Sequence, residues 1–161
     1  MADKLNINVD QINRRLMLDL DQKKWDNRFL NLCEHVSEWS KDPSTKVGAV
    51  ITEGIHIVSI GYNGLPSGVH DDPNILDNRE QKYKFIIHAE MNAILAAKRP
   101  VTGNTLYTFP LLPCTNCASV CIQAGIRRVV SQSCVDNRWK SNIEESKELF
   151  KKAGVEVVEL F

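Results

Sequence analysis

Apolar residues at Ile12, Leu16, Met17 and Leu20, with charged residues between them, recur at helical spacing and predict a first helix over residues 10–22. A second is predicted over 25–40, with Phe29, Leu32, Cys33, Val36 and Trp39 on one face. It must stop before Asp42-Pro43, because proline cannot continue a helix and disfavours helical geometry in the residue before it. The period then shortens. Residues 47–52 and 55–60 are β-branched runs split by Glu53-Gly54, the signal of a hairpin. Residues 61–68, GYNGLPSG, are turn-forming throughout and predict a loop. Residues 69–84 are polar and read as a surface excursion. A helix is expected over 88–98, ahead of Pro100. Strands are expected over 105–109, 126–131 and 155–160. Helices over 114–124 and 143–152 fall between them, each followed by a glycine, Gly125 or Gly154. Strands and helices alternating at this spacing predict a layered α/β domain with a partly parallel sheet.

The 161 residues suffice for one domain with a real core, and no repeat or linker divides them. Lys and Arg total 20, as do Asp and Glu, so no basic excess points to nucleic acid. No apolar run reaches the length of a membrane span, and the first residues lack the apolar core of a secretory signal. The cysteine count is five, an odd number, and two of them are spaced as CxxC. That usage fits a reducing, cytoplasmic setting, where CxxC more often marks metal or redox chemistry than a structural disulfide.

Cys114 and Cys117 follow Pro113 at an expected helix start. Two thiolates three residues apart can grip one ion, and they make half of a tetrahedral zinc site. His88 opens another expected helix. In a layered fold the starts of successive helices gather along one sheet edge, so His88 can complete a His-Cys-Cys set with one open position, the pattern of a catalytic zinc. Glu90, two residues on, can then reach the activated water and move its protons without binding the ion. Cys121, one turn after Cys117, is the candidate fourth ligand of a purely structural site. A buried packing role suits it better, as it does Cys33 and Cys134. His35, His56 and His70 read as surface or structural residues, Trp25 and Trp39 as core, and the Arg127-Arg128 pair as a solvated edge or subunit contact.

HAE followed by PCTNC resembles the H-x-E…P-C-x-x-C signature of the zinc-dependent cytidine deaminases. The stretches DPSTKVGAVI (42–51), IVSIGYNGLPSG (57–68), HAEMNAI (88–94), LYTFPLLPCTNCA (106–118) and IQAGIRRVV (122–130) are similar to the deoxycytidylate (dCMP) deaminases. The likeness runs from residue 25 to 161 and leaves residues 1–24 as an N-terminal helical extension. It implies a three-layer α/β/α fold around a five-stranded mixed sheet. It further implies hydrolytic deamination of dCMP to dUMP, with zinc held by His88, Cys114 and Cys117 and with Glu90 as proton carrier. The Ala89 N–H is then expected to hold the base O2 and Asn63 the deoxyribose, with Ser44, Thr45 and Lys46 near the phosphate. A tyrosine that stacks on the substrate in such enzymes is missing from residues 131–139, so Trp139 is expected to stack in its place and Arg138 to reach the phosphate. Members are typically homohexamers, activated by dCTP and inhibited by dTTP with Mg²⁺. The matching regulatory positions are Gly61, Asn63, Gly64, Asp71, Asp72, Arg79, Lys82 and Arg99.

Three other readings compete. A dual dCMP/dCTP deaminase would use the same zinc site, given the missing tyrosine. A tRNA or DNA editing deaminase would need a basic groove. A non-catalytic zinc-stabilised binding domain would have no use for an unligated Glu90.

Overall fold

The structure is a computed structural model that describes residues 9–133 and 137–161. Eleven elements can be followed. They are α1 (Val9–Ser37), β1 (Gly48–Glu53), β2 (His56–Tyr62), α2 (Pro73–Leu76), α3 (Arg79–Phe85), α4 (Ala89–Ala96), β3 (Thr105–Phe109), α5 (Thr115–Gln123), β4 (Arg128–Gln132), α6 (Lys140–Lys152) and β5 (Glu156–Leu160). The five strands form one sheet in the order β2-β1-β3-β4-β5. β1 runs antiparallel to both of its neighbours, whereas β3, β4 and β5 are mutually parallel.

Alternation along the strands builds the two faces. Val50, Tyr107 and Val130 point to one side, where Phe29, Leu30 and Cys33 of α1 cover them. Ala49, Ile51, Leu106 and Val129 point to the other and pack with residues of α4, α5 and α6. The result is the expected three-layer α/β/α arrangement around a mixed sheet. Both outer layers approach closely where β1 and β2 lack side chains. A Cβ on Gly48 would fall 2.0 Å from the Cys33 carbonyl oxygen, and one on Gly61 would fall 2.4 Å from both Ala89 O and Ala93 N. Glycine lets α1 and α4 sit against opposite faces of the hairpin. Among the described residues, no helix is long and apolar enough to cross a membrane.

Four expectations need correction. The two N-terminal helices are one helix of 29 residues, because Gln22-Lys23-Lys24 contains no breaker and consists of good helix formers. Residues 9–24 are exposed along their whole length, and Asp26 is the first buried position. Trp39 lies beyond the helix end and is 45% exposed, in edge contact with His35 and Tyr62, so it is no core residue. The polar excursion contains α2 and α3, each opened by an Asx cap: Asp72 accepts from Asn74 N, and Asn78 accepts from Gln81 N. Arg128 is not a solvated edge. Its guanidinium pairs through two bonds of 2.8 Å with buried Asp26 of α1. Tyr107 OH and Gln22 Nε2 also donate to that carboxylate, at 2.8 and 2.9 Å. Cys33 and Cys121 are buried as expected, and Cys134 lies outside the described residues.

Candidate active site

Two helix starts meet at one edge of the sheet. His88 is the N-cap of α4 and Cys114 the N-cap of α5, and neither uses its side chain to cap its own helix. Both side chains are therefore available to each other. His88 Nδ1 lies 3.5 Å from Cys114 Sγ and 3.3 Å from Cys117 Sγ, and the three potential ligand atoms all fall within 4.8 Å of one another. A tetrahedral zinc with Zn–N near 2.0–2.1 Å and Zn–S near 2.3 Å requires N···S edges of about 3.5 Å. The donor set and its spacing fit that ion. Nδ1, rather than Nε2, faces the sulfurs.

The neighbouring elements fix the cysteine loop. Asn142 of α6 accepts a hydrogen bond from Thr115 N at 3.2 Å, taking up one of the free N–H groups of the α5 start. Ser146 Oγ donates to Pro113 O at 2.7 Å. On the other side, Ser59 Oγ donates to Ala93 O at 2.7 Å and Asn92 Nδ2 to Tyr62 O at 2.8 Å, tying α4 to β2.

The electrostatics of the cluster are uneven. The Cys114 thiol is pulled down to about 4, first by the hydrogen bond from Cys117 and then by the His88 side chain. Cys117 is driven upward by the Cys114 thiolate and by burial, so the sulfurs hold their proton unequally. His88 is raised, chiefly by its bond with Cys114. Glu90 is 4% exposed, and burial pushes its carboxyl above the ordinary range, against the pull of its own backbone N–H, of His88 and of Cys117.

A cavity of about 100 Å³ opens beside this cluster. His88, Ala89, Glu90 and Cys114 line it, together with Trp139, Asn142, Asn63, Ser44, Thr45 and Lys82. Of the expected substrate residues, Ala89, Asn63, Ser44, Thr45 and Trp139 are thus together on one wall or another. Lys46 is exposed and is not part of the lining, and neither is Arg138. The amide of Asn63 spans the 42–47 loop: Oδ1 accepts from Val47 N at 2.8 Å, and Nδ2 donates to Thr45 O at 2.9 Å and to Asp42 Oδ2 at 3.4 Å.

The expected regulatory positions do not share one place. Asn63 and Lys82 line the cavity, and Gly61 packs under α4. Gly64 forms a bridge to Ile87. Asp71 lies 3.8 Å from Lys41, and Asp72 caps α2. Arg79 stacks over Tyr83, and Arg99 pairs with Glu53 at 2.7 Å beyond the far end of α4. Asp42 and Lys82 are the site residues whose place sequence reading missed. Asp42-Pro43 was visible as a helix stop, and the Asn78 cap was the available sign that a helix carries Lys82.

A family model described as the cytidine and deoxycytidylate deaminase zinc-binding region matches residues 23–133. An uncharacterized deaminase from the luxG 3' region of Aliivibrio fischeri is 47% identical over 137 residues, covering 83% of this chain and 92% of that protein. The deoxycytidylate deaminase of Mus musculus is 38% identical, covering 84% of this chain and 79% of its own. The crystal structure of dCMP deaminase from the cyanophage S-TIM5 in complex with dCMP and dUMP superposes with a TM-score of 0.70 at 27% identity. It covers 85% of this chain and 97% of that one.

Proposed function

The chain belongs to the zinc-binding cytidine and deoxycytidylate deaminase family, and from that premise we propose that it hydrolyses dCMP to dUMP and ammonia. The observation that carries this reading is the triangle of His88 Nδ1, Cys114 Sγ and Cys117 Sγ, with His88, Cys114 and the buried Glu90 on the wall of one cavity. His88, Cys114 and Cys117 would hold zinc, which when bound lowers the pKa of a water toward 7. Glu90 would accept a proton from the attacking water and pass it to N3 of the cytosine, then take the second proton from the new C4 hydroxyl and give it to the departing amino group. The exchange balances as C4–NH₂ plus water giving C4=O plus ammonia. Ala89 is the first residue of α4, so its N–H has no partner within the helix and is suited to donate to the base O2. Trp139 offers the cavity an aromatic face for stacking.

The family resemblance extends the proposal to a homohexamer regulated by dCTP and by dTTP with Mg²⁺. Sedimentation with and without each nucleotide tests both parts.

Ammonia release from deoxycytidine, dCMP and dCTP tests the reaction itself. dCMP is expected to be turned over, and removal of the metal by a chelator to abolish turnover. A folded, zinc-loaded protein inert on all three compounds would defeat the proposal.

A further inference from the structure

Lys82 occupies an unusual place for a lysine. It is 6% exposed, yet it lies on the cavity wall, and among the described lining residues it is the one Lys or Arg. Helix α3 carries it inward, with Tyr83 and Ile86 beside it on the same wall. Its ammonium donates to Asp42 Oδ1 at 2.8 Å and to Ser44 Oγ. An ammonium has three N–H donors, and those two acceptors occupy two.

Asp42 is itself well held. It accepts from Ser44 N and Ser44 Oγ at 2.8 Å each and from Thr45 N at 3.2 Å. The carboxylate is therefore a fixed counter-charge, set by the tight loop that opens the first strand. A buried cation without a partner is costly, and Asp42 supplies the counter-charge that holds Lys82 in place.

Resting on the deaminase reading above, we propose that Lys82, and not Lys46, engages the substrate's phosphate and that Asp42 sets how much negative charge the pocket accepts. The third N–H of Lys82 is the donor a phosphate oxygen meets, with the Ser44 hydroxyl beside it. The resident carboxylate already offsets the single positive charge. One additional phosphate group is tolerated through a direct charge-assisted bond. A triphosphate brings about twice the charge to a wall with no second lysine or arginine among its described residues. The pair thus selects a monophosphate over a bare nucleoside on one side and over a triphosphate on the other.

Steady-state kinetics on the full-length, zinc-loaded protein test this with deoxycytidine, dCMP and dCTP as substrates. Lys82→Met is expected to lower kcat/KM for dCMP about 10- to 100-fold, while the value for deoxycytidine shifts far less. Lys82→Arg, which keeps the charge, should retain most of the preference for dCMP over deoxycytidine. Asp42→Asn removes the counter-charge and should raise dCTP relative to dCMP. Equal losses on dCMP and deoxycytidine in Lys82→Met would make Lys82 a structural residue and overturn the inference, as would unchanged kinetics. If Lys82→Met does not fold, Asp42→Asn decides, and an unaltered dCTP/dCMP ratio there overturns the inference. A wild-type protein inert on every substrate would instead bring down the deaminase reading itself.

Discussion

Two of the buried carboxylates, Asp26 and Glu90, lie on opposite faces of one sheet and are treated in opposite ways. Asp26, on the α1 face, receives two bonds from Arg128 and one each from Tyr107 and Gln22. Burial raises its pKa, but those donors outweigh the effect and hold it below the ordinary carboxylate value. Glu90, on the α4 face, is equally dry but gains too few donors, and burial wins. One side chain is locked as an anion and can only hold structure. The other is held above the ordinary carboxylate range and lies on a cavity wall. Burial alone therefore does not mark a functional acid; what matters is whether its charge has been compensated.

The contrast can be broken at either end. Glu90→Gln keeps the shape and removes the proton carrier. Deamination should fall by about 10²–10⁴-fold or more while zinc content and thermal midpoint hold. Loss of zinc together with activity would show instead that Glu90 supports the site. Asp26→Asn should do the reverse. It leaves Arg128 with only the exposed Glu156 carboxylate, 3.3 Å away, as a charge partner, with an expected cost of about 3 kcal/mol in urea unfolding and little change in KM for the molecules that remain folded. A KM change matching the stability loss would contradict the separation.

Acid provides a gentler probe. Because the folded-state pKa of Asp26 is depressed, its stabilisation is complete above the unfolded value, near 3.8, and is lost as pH falls through the folded value. Asp42 is depressed in the same direction despite burial, through Lys82 and the Ser44 and Thr45 groups. The unfolding free energy should therefore decline below about pH 4, and Asp26→Asn should flatten part of that slope. The smallest effect belongs ten residues upstream on the same helix. Leu16→Gln, at a position 55% exposed, should shift stability by no more than about 0.5 kcal/mol. A larger loss would place the start of the helix's structural contribution earlier than Asp26.

What could be seen in the sequence divides along the same line. His88, Glu90, Cys114 and Cys117 belong to two short local motifs at helix starts, and the α/β order of the fold places such starts on one edge. Their meeting followed from general rules. The Asp26–Arg128 pair spans 102 residues, and both partners look like ordinary surface charges until the sheet is assembled. The break expected between the first two helices fails because nothing in Gln22-Lys23-Lys24 interrupts a helix. The family likeness places Lys82 among the effector positions, and residues 69–84 read as surface, whereas the short helix α3 turns it inward.

Gly61 has a consequence for how inactive variants are interpreted. The atoms that a methyl there would strike, Ala89 O and Ala93 N, belong to the turns of α4 that carry the histidine and the glutamate. Gly61→Ala acts as a wedge under α4, the helix of the proposed proton carrier, and a displacement of about 1 Å can cost two orders of magnitude in rate. A dead Gly61→Ala protein would therefore look like the loss of a participating residue, although position 61 contributes no atom to the chemistry.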